Sequence, residues 1–208
     1  MANLKEVRTR IASTQSTQQI TKAMKMVSAT KLRKAQQAIT QMRPYAEKLN
    51  GILQNLSDSA KDEPSIQGYF EHREVKNVLL VVNSSDRGLC GGFNSNITKE
   101  VTSLIEKTYQ GKNVEVKFLG KKAYEFFKRH SFSMDTSSMS IFQDLNANDA
   151  FKFGGEIIAD FLNGKYDEVR VVYNRFKNAA TQIVTAEKIL PVELDAFGSS
   201  EKEPSKYL

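Results

Sequence analysis

The sequence predicts an α/β protein with a long N-terminal coiled-coil helix ahead of a Rossmann-like, mixed and mostly parallel sheet with helices on its faces. Three observations lead there. No glycine or proline precedes Pro44. Apolar residues in the first sixty positions recur every three or four residues. From Val75 onward, short β-branched runs alternate with helical stripes.

The N-terminal helix is the strongest expectation. Lys, Gln, Ala, Met, Leu and Arg dominate it, and all favour helix. Asn3 followed by Glu6 reads as a cap with a reciprocal acid three positions later. Leu4, Val7 and Ile11 open an apolar stripe that resumes in phase at Leu32, Ala35, Ile39, Met42, Ala46, Leu49, Leu53, Leu56 and Ala60. Between these blocks the same phase is polar (Thr14, Gln18, Thr21, Lys25, Ser28), and Ile20, Met24 and Val27 form a displaced strip. A helix over 4–57 is about 80 Å long. Pro44 can bend it, divide it in two, or open a second helix. A striped helix needs a second surface, and no other run of this length exists in the chain. Its mate therefore belongs to another chain, or to sequence after Leu208.

Charge concentrates on the same segment. The net charge is +6, yet residues 1–56 alone carry +8, from ten basic side chains against Glu6 and Glu47. The rest carries −2. The helix should face something acidic.

Residues 61–74 read as a linker, 75–197 as the α/β domain, and 198–208 as a polar segment leading onward. Val78 to Val82 suits a strand buried on both faces. A helix fits 94–109, a strand 114–118 and a short helix 121–129. A short strand is expected near Met139 to Phe142, then a helix over 149–162. Strands at 169–173 and 181–190, joined by a turn at Lys177-Asn178, place an antiparallel strand last.

Composition excludes several functions. No 18-residue apolar run exists, so no helix spans a membrane. Cys90 is the single cysteine, and His72 and His130 stand far apart, so no metal-ligand spacing occurs. No cofactor is expected. The loop Asp86-Arg-Gly-Leu-Cys-Gly-Gly-Phe-Asn94 follows a strand and precedes a helix, where anions bind. Its spacing matches neither dinucleotide nor phosphate-loop fingerprints. Gly88, Gly91 and Gly92 are better read as a sharp turn with close approach to a neighbour. Cys90 reads as a packed thiol, both histidines as surface residues, and Asp86-Arg87 as a local ion pair or turn cap. Aromatic residues are absent from 1–43, so base stacking is unsupported.

Two stretches carry a specific resemblance. Ile20-Thr-Lys-Ala-Met-Lys-Met-Val-Ser-Ala-Thr-Lys-Leu-Arg-Lys-Ala35 and Ser85-Asp-Arg-Gly-Leu-Cys-Gly-Gly-Phe-Asn94 resemble the gamma-subunit family of F-type (F1Fo) ATP synthases, over the whole chain. The resemblance implies a non-catalytic central-stalk rotor. Its N-terminal helix would pair antiparallel with a C-terminal helix inside the ring of three alpha and three beta subunits. The α/β domain would form a foot with the epsilon subunit on the membrane c-ring. Proton-driven rotation would then cycle the beta-subunit sites.

The resemblance also assigns residues. Lys22, Met24, Lys25, Lys31 and Arg33 match the segment facing the acidic beta-subunit catch loops. Tyr207, with Glu201 and Lys206, matches the foot region beside the c-ring. The family's C-terminal helix is not present up to Leu208. One cysteine disfavours the chloroplast form, which carries a regulatory cysteine pair. Met1 and the lack of a transit segment favour a bacterial protein, peripheral on the cytoplasmic face of the inner membrane. A basic coiled-coil adaptor for an acidic partner or nucleic acid, and a nucleotide-dependent enzyme with a helical arm, are the competing readings.

Overall fold

The computed structural model describes residues 3–60, 64–143, 146–178 and 181–193. The chain divides into two units, Met1–Ser57 and Asp58–Leu208.

The first unit consists of all but the last three residues of helix α1, which begins at Leu4 and ends at Ala60. Its 57 residues extend roughly 85 Å. Asn3 caps it: the Asn3 Oδ1 accepts the Lys5 N–H at 3.2 Å. Glu6 does not return to the cap as expected; its carboxylate reaches Arg10 at 3.7 Å, one turn on. Pro44 lies inside the helix, so the continuous reading holds. Its missing N–H leaves the Thr40 carbonyl without the usual helical donor. The apolar stripe is uncovered within this unit: Leu4 is 68% exposed and Met42 60%.

The second unit is the α/β domain. A one-turn helix α2 (Pro64–Gln67) precedes strand β1 (Asn77–Asn83). Helix α3 (Phe93–Ser103), strand β2 (Asn113–Leu119), helix α4 (Lys121–Phe127) and strand β3 (Ser133–Asp135) follow. Helix α5 (Ala147–Leu162) leads to strands β4 (Glu168–Phe176) and β5 (Gln182–Leu190). The sheet order is β3-β2-β1-β4-β5, parallel throughout except for β5.

β1 is the central strand and is buried on both faces, as its unbroken apolar run requires. Val78, Leu80 and Val82 pack with Ile97, Val101, Phe118 and Phe127 on one side. Leu79 and Val81 pack with Phe161, Tyr166, Val169 and Leu190 on the other.

Three local expectations change. Residues 139–142 are turns, not a strand: the Met139, Ile141 and Gln143 N–H groups each bond the carbonyl three residues back. The short strand lies earlier, at Ser133–Asp135, and the Asp135 carboxylate ends it by accepting the Ser137 N–H at 2.8 Å. The helix expected to 109 leaves α geometry after Ser103 and closes in a π turn, Leu104–Thr108. The stretch read as a linker packs on the domain from Tyr69 onward. Tyr69 joins the second core cluster and accepts the Val192 N–H, and Arg73 bonds the Phe161 carbonyl at 3.1 Å.

Candidate interaction surfaces

The candidate site residues on α1 are all exposed, but they do not share one side. At 100° per residue, Lys22 and Arg33 lie about 20° apart, and Lys25 about 60° from Lys22. Lys31 lies about 180° from Lys22 and only about 20° from Met24. One basic face, as read from composition, is therefore two faces. Lys22, Lys25 and Arg33 form a cationic side, and the Ile20–Met24–Val27 strip leads into Lys31 on the other.

The glycine-bearing loop joins β1 to α3, and its polar groups bond largely to one another. The Ser85 N–H donates to Asn94 Oδ1 at 3.1 Å. Asn94 Nδ2 donates to Ser85 Oγ at 2.8 Å and to Cys90 Sγ at 3.1 Å. Cys90 is thus half-buried in a polar nest rather than in apolar packing. Among the described residues Asp86 and Arg87 form no ion pair, and Asp86 Oδ1 is buried without a partner. Leu89 at the loop tip is fully exposed and held at φ 62°.

The three glycines differ. Gly91 has φ +59°, which favours glycine. A Cβ at Gly92 would stand 3.3 Å from the Asn96 amide, and nothing lies within 4 Å of one at Gly88 or Gly91. A closer approach still occurs at Gly120, where a Cβ would lie 2.1 Å from the Ser84 carbonyl oxygen.

Polar ties that spacing did not reveal connect the strands. Glu168, 6% exposed, accepts from Arg170 Nε at 2.6 Å and from the Tyr109 hydroxyl. Burial, then the Glu168 carboxylate, pushes the Tyr109 hydroxyl far above its ordinary pKa. Lys117 on β2 meets Asp135 on β3 at 2.7 Å, above the Phe153 ring. Burial pushes the Asp135 carboxyl up, but the Lys117 and Ser137 hydrogen bonds outweigh it and hold the pKa down to about 2. Tyr166 bonds Glu115 at 3.0 Å and Tyr173 bonds Glu187 at 2.9 Å. Burial raises both hydroxyls to about 12.

His130 sits exposed beside Phe126, Phe127 and Phe132, with ring centroids 5.3 to 5.8 Å away. Among the described residues no group of His, Cys, Asp and Glu could hold a metal ion, and no helix is long and apolar enough to cross a membrane. Glu201, Lys206 and Tyr207 lie outside the described residues.

An uncovered apolar and basic helix, attached to a cross-tied α/β domain, defines a class: an assembly subunit that works by contact with other chains. The comparisons narrow the class. The family model described as ATP synthase matches residues 3–208. The ATP synthase gamma chain of Christiangramia forsetii is 50% identical across all of this chain and 71% of its own length. That of Cytophaga hutchinsonii is 48% identical over 96% of this chain and 68% of its own. Among solved structures, a chain of the Tetrahymena thermophila mitochondrial ATP synthase central stalk and c-ring superposes with a TM-score of 0.59, at 27% identity, over 83% of this chain and 72% of that one. The chain belongs to the ATP synthase gamma chain family. Its role is that of the family: a non-catalytic rotor component of the central stalk, coupling rotation to catalytic sites in other subunits.

Proposed function

We infer that α1 is one strand of an antiparallel coiled coil standing inside a ring of three alpha and three beta subunits. The single observation carrying this is the stripe from Leu4 to Leu49, which 57 helical residues display and nothing in their own unit covers. The partner strand is the family's C-terminal helix. Lys22, Lys25 and Arg33 would meet acidic catch loops of the beta subunits on one side. Met24 and Lys31 would meet the ring or the partner helix on the other.

The α/β domain acts as the foot, with the epsilon subunit, on the c-ring. Glu201, Lys206 and Tyr207 are proposed for that contact. The polar ties between strands suit a domain that must transmit torque without shearing: Lys117–Asp135 joins β2 to β3, and Tyr173–Glu187 joins β4 to β5. Gly88, Gly91 and Gly92 serve the shape of the loop before α3, not a ligand. Proton flow would turn c-ring and stalk together, on the cytoplasmic face of a bacterial inner membrane, with the chain held peripherally.

Reconstitution with alpha and beta subunits tests this. The rotor reading expects one copy of the full-length protein per three of each. A protein that fails to enter the ring yet binds duplex DNA saturably would favour the basic-adaptor reading instead.

A further inference from the structure

The N-terminal ends of the parallel strands form one end of the α/β domain, and charge is divided unevenly across it. On the β1 and β4 side the ions are neutralised locally. Lys76 pairs with Glu74 at 3.0 Å, Lys165 with Asp160 at 2.9 Å, and Lys188 with Glu193. The Asp167 carboxylate accepts the Lys76 and Asn77 N–H groups. On the β2 and β3 side the pairing stops. Lys107 and Lys112 flank the turn that enters β2, and Lys128 and Arg129 open the connection that enters β3. All four are exposed, and among the described residues none makes a salt bridge. Glu106 is the only acid in those two connections, residues 104–112 and 128–132. This corner therefore nets +3, and since residues 57–208 together carry −2, everything else in them carries −5.

The same corner is aromatic. Phe126 is 52% exposed and stacks on His130, with ring centroids 5.6 Å apart. Beside them opens a cleft of about 300 Å³ whose lining includes Ile105, Glu106, Phe127, His130 and Phe132.

An acidic protein loop brings carboxylates to fixed points, and paired hydrogen-bonding forks meet it. A bilayer surface presents a smeared plane of phosphates over an apolar layer. Dispersed Lys and Arg with an exposed aromatic among them meet that. The corner is of the second kind. We propose that it docks on anionic phospholipid headgroups, with Phe126 entering the headgroup layer. Its facing rests on the rotor reading above. β5 runs antiparallel, so Leu190, opposite Val169, brings the chain out at this same end. The residues proposed for the c-ring contact follow. β3 lies four strand spacings from β5, or about 19 Å across the sheet, which sets the corner over membrane beside that contact.

In the rotor reading, an F1 head assembled with the full-length protein keeps the basic residues of α1 inside the ring. Its partition is measured by flotation on vesicles of phosphatidylcholine alone and with phosphatidylglycerol added. Each Lys or Arg near an anionic surface contributes about fivefold, so a net charge of three should give wild type a preference of about a hundredfold for the anionic vesicles. Lys107→Gln, Lys112→Gln, Lys128→Gln and Arg129→Gln together should remove that preference. The smaller Lys128→Gln, Arg129→Gln variant should remove about twentyfold of it, which keeps the test open if the quadruple variant does not assemble. Lys99→Gln, Lys152→Gln, Arg175→Gln and Lys177→Gln, exposed elsewhere in the domain, should together change it by about twofold or less. Phe126→Ser should weaken binding to the anionic vesicles. No preference in wild type, or equal losses in the two quadruple variants, would overturn the proposal. So would a corner variant that keeps its vesicle preference but no longer binds a detergent-purified c-ring, which would assign the corner to protein carboxylates. Failure of the rotor reading is distinguishable, because the wild-type protein would then not enter the ring at all.

Discussion

Replacing Gly120 with alanine is the sharpest single perturbation of the α/β domain. Gly120 joins β2 to α4 at φ 90° and ψ 153°, a region that costs other residues about 1–3 kcal/mol. The added Cβ would also stand 2.1 Å from the Ser84 carbonyl oxygen and 2.7 Å from its carbon. Both are backbone atoms, and they cannot swing aside. Ser84 is fixed on that side: its N–H bonds the Leu119 carbonyl at 2.7 Å, and its Oγ accepts the Ala123 N–H at 3.1 Å. Relief would have to part β1 from the start of α4. Losing two such bonds at about 1 kcal/mol each, on top of the conformational cost, gives a destabilisation of at least about 3 kcal/mol. Gly91→Ala carries only the positive-φ cost of about 1 kcal/mol, and Gly88→Ala should be near neutral. Urea unfolding followed by circular dichroism measures all three. A Gly120→Ala variant within 0.5 kcal/mol of wild type, or no less stable than Gly91→Ala, would refute this packing.

Other outcomes follow from the same geometry. Tyr109→Phe removes a donor from buried Glu168 and should cost about 1–3 kcal/mol, read from the same urea curves; a loss under 0.5 kcal/mol would contradict the buried triad. Asp135 has a depressed folded pKa of about 2, below the ordinary value, so its contribution is present above about pH 4 and is lost as pH falls toward 2. The stability gap between wild type and Asp135→Asn should therefore narrow across that window, and a gap constant from pH 5 to pH 2 would exclude the Lys117 tie as its cause. Reversing Lys22, Lys25 and Arg33 together to glutamate should weaken coupling in the assembled complex while leaving the α/β domain folded. Single reversals should be nearly silent, at roughly 0–1 kcal/mol. Unchanged ATP-driven rotation of the triple variant under load would sink the catch-loop assignment.

The elements legible in the sequence were those that declare themselves locally. Val78 to Val82 could only be a strand buried on both faces, and the glycine-free stripe of α1 could only be a helix in need of a mate. What escaped was set by distant partners. β3 is three residues of Ser-Met-Asp, and β2 with the Lys117–Asp135 pair defines it rather than its own pattern. Gly120 has no local signal in the sequence, because its constraint comes from Ser84, thirty-six positions earlier. The triad of Tyr109, Glu168 and Arg170 draws on two segments far apart in sequence. The two-sidedness of Lys22 and Lys31 was present in the spacing, since nine residues are half a turn beyond two full turns, but a count of charges conceals direction.

Amide hydrogen exchange tests the central idea, that the greasy edge of α1 is completed by other chains. In the full-length protein alone and in the assembled F1 head, protection is compared for peptides from residues 4–49 and from β1, β2 and β4. Assembly should raise protection along 4–49 by about a hundredfold or more and leave the strands unchanged. Equal protection of 4–49 in both states would contradict the account.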